Sequence, residues 1–78
     1  MSTKNNPGAF DCYAKAEPDE PMFVLLARDP LAPIIVAEWI KRARRHGVPD
    51  EKLSEALLCA HHMINWRFEQ STKKPFNE

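Results

Sequence analysis

The sequence carries no net charge: Lys plus Arg number 11, and Asp plus Glu also number 11. A neutral chain has no global field to draw in nucleic acid or an anionic membrane, so any such binding must come from a local patch. Cysteine is scarce, with only Cys12 and Cys59, whereas small secreted scaffolds usually carry about four or more in a disulfide framework. Reduced thiols and a cytoplasmic setting are therefore expected, and no apolar stretch near Met1 suggests a signal peptide. Long hydrophobic runs are missing as well. The longest, Met22 to Ala27 and Leu31 to Ala37, fall well short of the roughly 20 residues that span a bilayer. Glycine is limited to Gly8 and Gly47, which leaves no glycine-rich phosphate loop.

What remains is a short chain, apolar enough to fold. At 78 residues with 44% hydrophobic side chains, it fits one domain with a small core. Domains of this size usually lean on a disulfide, a metal or self-association.

The pattern along the chain predicts a mainly α fold, a small α+β arrangement. In it, an N-terminal β-hairpin or extended arm packs on an antiparallel αα-hairpin. Residues 1–9 read as a flexible lead-in. From Phe10 to Ala16 apolar and polar residues alternate, a strand pattern weakened by its alanines. The acidic stretch Glu17-Pro18-Asp19-Glu20-Pro21 predicts a turn, because each proline pushes its predecessor out of the helical region. Met22 to Ala27 then supplies a second apolar strand. The first helix opens at Asp29-Pro30, or nearer Ala32 or Pro33. Its buried stripe would be Val36, Trp39, Ile40 and Ala43, and Gly47 sits in the position that ends helices. Asp50 is a good cap for the second helix. Leu53, Ala56, Leu57, Ala60, Ile64 and Arg67 keep helical spacing to about Phe68. The expected domain covers residues 10–68, with a mobile tail from 69 to 78.

Three groups of side chains could carry chemistry. Cys59 and His62 lie one turn apart and are zinc-ligand types, with Cys12 a further thiol. Structural zinc sites, however, use paired spacings such as C-x₂-C, so neither a metal nor any other cofactor is expected. A Cys/His nucleophile would need a positioned base and an enclosing pocket, and two helices with a hairpin supply neither, so no enzyme is expected. The basic run Lys41, Arg42, Arg44 and Arg45 complements the helix dipole at a C-terminus. Read functionally, the same run is an anion site for nucleic acid or nucleotide.

The most informative feature is an excess of large apolar groups. Ile34, Ile35, Leu58, Met63, Trp66 and Phe68 cannot all be covered by so small a fold together with the helix stripes. An uncovered apolar patch marks an interaction surface. Trp39, Met63, Trp66, Leu58 and Ile34 are the expected interface, and a homodimer is the expected first partner. A host protein comes next and nucleic acid after it, with no membrane.

The stretch from Lys15 to Pro33 reads K-A-E-P-D-E-P-M-F-V-L-L-A-R-D-P-L-A-P. It resembles a family of small uncharacterised bacteriophage and prophage proteins with the pattern K-A-x-x-D-E-P-x-F-V-L-x-A-x-D-x-x-A-P. Those continue into an apolar helix near a tryptophan, here Val36 to Trp39. A second helix follows, here with Glu55-Ala56, Cys59-Ala60 and Met63 to Trp66. The resemblance implies a bacterial host cytoplasm and an accessory role that acts by sticking to a host machine. It supplies no mechanism.

Overall fold

A computed structural model describes residues 2–73. They form a short helix α1 (Cys12–Lys15) and two longer helices, α2 (Ala32–Arg45) and α3 (Asp50–Lys73), with α2 and α3 packed as a hairpin. The expected β-hairpin is not found: there is no strand among the described residues. The reason is local. Asp11 sits in an extended conformation and its Oδ1 accepts from the Ala14 backbone N at 3.2 Å, which caps a helical turn. Ala14 and Ala16 bring little strand preference to oppose it. Lys15 N donates to Asp11 O (3.2 Å) and Ala16 N to Cys12 O (2.9 Å), closing the turn.

The acidic turn forms as expected. Glu20 N donates to Glu17 O at 3.0 Å, and Glu17 N donates to the Glu20 side chain at 3.0 Å. It joins a helical turn to an extended segment instead of pairing two strands. Along that segment Phe23 is 86% exposed.

The later of the two expected starts for the first helix is the one adopted. Asp29 Oδ1 accepts from Leu31 N at 2.9 Å and Asp29 O from Ala32 N at 3.0 Å, so Asp29-Pro30-Leu31 is a lead-in turn. Its end is a Schellman motif. Gly47 has φ +82°, Gly47 N donates to Arg44 O (3.2 Å), and Val48 N reaches back to Ala43 O (3.1 Å). An L side chain rarely adopts this backbone, which is why glycine stands there. α3 then continues past Phe68, where the apolar pattern fades, to Lys73. Ser71 and Thr72 donate their hydroxyls to Phe68 O and Glu69 O. Of the tail read as mobile, residues 74–78 lie outside the described residues.

The core lies between α2 and α3 and is built largely of small residues. Ile40, Ala43, Leu53 and Ala56 form its cluster, with Val36 and Val48 packed against it. Ala32 and Ala60 are also buried. Methyl side chains let two helices approach closely, but they enclose little volume. The expected stripes are corrected at three places: Trp39, Leu57 and Ile64 are 40%, 48% and 51% exposed. The seam actually used on α3 is Leu53, Ala56, Ala60, Met63, Arg67 and Gln70, all buried or half-buried. They keep three-and-four spacing: Leu53 and Ala56 pack with Ile40 and Ala43 of α2, while Met63 and Arg67 meet the segment that precedes α2.

Candidate interaction surface

Three hydrogen bonds among the described residues fasten the N-terminal half to α3. The Glu55 carboxylate accepts from Ala9 N and Phe10 N, each at 3.3 Å, so the chain is held at residues 9 and 10. Further along, Arg67 Nη1 donates to Arg28 O at 3.0 Å. Between these ties lies an open groove of about 360 Å³. Its walls include Lys4, Leu26, Arg28, His62, Met63 and Trp66. Two residues of the expected interface, Met63 and Trp66, therefore line one groove under the N-terminal segment. Trp66 stays 42% exposed.

The other three expected interface residues are spread out. Leu58 (54% exposed) lies on α3, while Ile34 (65%) and Trp39 (40%) lie on α2. What residue-by-residue reading missed is a second ordered face of α3. Ser54, Leu57, His61, Ile64, Phe68 and Ser71 are each the residue that follows a seam position, and every one is exposed. One residue on a helix turns the direction by about 100°, so this stripe runs beside the seam for its whole length. The signal was present in the sequence: two interleaved sets of three-and-four spacing, which the expected stripe merged into one.

The basic run divides. Glu38 receives Arg42 Nε at 2.9 Å and lies 4.0 Å from Lys41 Nζ. The hydrogen bond from Arg42, then the charge of Lys41, hold the Glu38 carboxyl below its usual pKa. Lys41 and Arg42 thus share one carboxylate on the helix itself, which offsets one of their two charges. Arg44 and Arg45 stand exposed in the last turn of α2, with no ion pair among the described residues. That pattern fits cations complementing a helix C-terminus.

The thiols are both free, Cys12 exposed and Cys59 half-buried. Burial pushes the Cys59 thiol up in pKa, and the nearby Glu55 carboxylate adds to the effect. A thiol held protonated is a poor nucleophile and a poor metal ligand. No three His, Cys, Asp or Glu side chains come together to hold a metal among the described residues. No helix there is long and apolar enough to cross a membrane.

No protein-family model matches the chain, and neither a curated protein nor a solved structure is similar to it.

Proposed function

We propose that this protein is a non-enzymatic accessory protein of phage type that self-associates and binds or inhibits a protein of its bacterial host. The observation that carries the reading is an inverted distribution of size. Among the described residues fourteen large apolar side chains are exposed, while of the six buried ones only Ile40 and Leu53 are large. Exposed groups such as Phe23, Ile34, Leu58 and Phe68 add little to the stability of an isolated chain. Removing each from water against a partner is worth about 1.5–3 kcal/mol before the costs of association. The phage origin and host cytoplasm rest on the resemblance of Lys15 to Pro33 alone.

Size-exclusion chromatography with light scattering, read at 260 and 280 nm, tests the reading. The expected mass is about 18 kDa, twice the 9.0 kDa chain, with a protein-type spectrum. Capture from host lysate should then return one protein at fixed stoichiometry, lost on Trp66→Ala. A 9.0 kDa particle that captures nothing overturns the proposal. The second reading is an anion site for nucleic acid or nucleotide on Lys41, Arg42, Arg44 and Arg45, supported by the exposure of Arg44 and Arg45. It would show as 260 nm absorbance that salt removes.

A further inference from the structure

The N-terminal arm, residues 2–10, takes no part in the core. Among the described residues none before Ala32 is buried, and residues 2–9 are all exposed. The arm begins in a turn closed on itself. Thr3 N donates to Asn6 O at 3.0 Å, and Asn6 N donates to Thr3 O at 3.1 Å and to Thr3 Oγ1 at 3.0 Å. At its other end, Ala9 N and Phe10 N converge on the Glu55 carboxylate, each at 3.3 Å.

Gly8 makes this latch possible. Its φ is +81°, in the left-handed region, and a Cβ there would lie 3.1 Å from Glu55 Oε2. Gly47 has nearly the same φ, +82°, yet a Cβ there would meet nothing within 4 Å. At Gly47 only the backbone calls for glycine; at Gly8 the backbone and the carboxylate both do.

Beyond the latch the arm reaches along α3. Ser2, Thr3 and Lys4 line the open groove together with Cys59, Met63 and Trp66. From Glu55 to Met63 is eight residues, about 12 Å of helix. A chain fastened at one turn of α3 therefore flanks side chains up to two turns further on. A segment with no buried side chain of its own can open locally while the packed helices stay folded.

We infer that residues 2–10 are a strap, latched on the Glu55 carboxylate and displaceable without unfolding the hairpin, that governs access to the groove at Cys59, Met63 and Trp66. The strap opens when the Ala9 and Phe10 donors pass from the carboxylate to water. Phe10 is the hinge: it is half-buried, and Lys15 Nζ lies 5.6 Å from its ring centroid, which keeps it with α1. A ligand of the groove competes with the arm for this flank of α3. The inference gives the groove a control element and holds for a monomer as for a dimer.

The Cys59 thiol reports the opening. The full chain carries Cys12→Ser, which removes the other thiol, and labelling by Ellman's reagent is timed at a dilution that keeps the chain monomeric. Gly8→Ala strains the left-handed backbone and crowds the carboxylate, and it speeds labelling about fivefold or more, with helical circular dichroism unchanged. Glu55→Ala speeds it too. Burial and, to a smaller degree, the Glu55 charge hold the Cys59 thiol protonated, so Glu55→Ala alters the thiol itself and Gly8→Ala is the deciding variant. Hydrogen exchange shows the Ala9 and Phe10 amides losing protection in Gly8→Ala while those of Ile40 and Ala56 keep theirs. An unchanged labelling rate in Gly8→Ala overturns the strap, as does equal acceleration by Gly47→Ala. Loss of protection at Ile40 and Ala56, or loss of the helices, would make the arm part of the hairpin core and overturn it as well.

Discussion

Helix α3 carries two faces that run side by side and are built to different rules. Toward α2 it presents Leu53, Ala56 and Ala60, which are 3%, 1% and 4% exposed. On the neighbouring stripe stand Leu57, Ile64 and Phe68, each about half exposed or more. The small residues lie inside and the large ones outside. Small side chains at a helix contact bring the backbones close and spend little apolar area. Large side chains in water contribute nothing until something covers them. The inner face therefore sets the shape of the hairpin, and the outer one holds the binding energy still to be used.

Removing an inner residue should have the largest effect. Leu53→Ala cuts one of the two large residues in the core and is expected to cost about 2–5 kcal/mol, comparable to the whole stability of so small a domain. Urea denaturation followed by circular dichroism should find the variant largely unfolded without denaturant. A cooperative, wild-type-like transition would mean the hairpin is not held at this seam. Ala56→Leu probes the same face from the opposite side. Ala56 is 1% exposed, so the added bulk forces the helices apart, and a loss of about 1–3 kcal/mol is expected. A gain in stability would show that the seam contains unused space.

The outer face should answer differently. Phe68→Ala, measured at a concentration low enough to keep the chain monomeric, is expected to shift stability by less than about 0.5 kcal/mol. A loss as large as that of Leu53→Ala would place Phe68 in the core of the monomer and erase the contrast. The smallest effect expected is that of acid on the exposed face of α2. Glu38 has its pKa lowered by Arg42 and Lys41, so its contribution to stability is present above the unfolded value of 4.5 and is lost as pH falls through the folded one. Titration by NMR should give a Glu38 midpoint below 4.5 that rises toward it in Arg42→Gln. A midpoint unmoved by the substitution would detach Glu38 from this pair.

How far the fold was legible depended on whether the responsible interaction was local. The Asp29-Pro30-Leu31 turn and Gly47 mark the limits of α2 through bonds made within a few residues, and the hairpin follows from them; Asp50, expected as a cap, is instead the first residue of α3, whose first turn bonds to Pro49 O. The N-terminal segment was misread because a period-two pattern over Phe10 to Ala16 says nothing about whether a second strand comes alongside. One side-chain cap from Asp11 was enough to close a helical turn instead. At the candidate surface, the excess of apolar groups was plain from composition and length. Their division into a groove at Met63 and Trp66 and a stripe at Leu57, Ile64 and Phe68 was not. That division depends on the rotation of α3 against α2, and a difference of one residue moves every side chain by about 100°.

The sequence by itself determined that this is a small helical chain with a hairpin closed at Gly47, no net charge and more large apolar groups than it can bury. Each of these follows from composition or from contacts between near neighbours. Only the tertiary structure decided which of the two interleaved faces of α3 would be covered. The alanines allow α2 to approach on one side alone, and Glu55 and Arg67 then tie the N-terminal segment to the flank bearing Cys59 and Trp66, leaving the stripe from Ser54 to Ser71 in water.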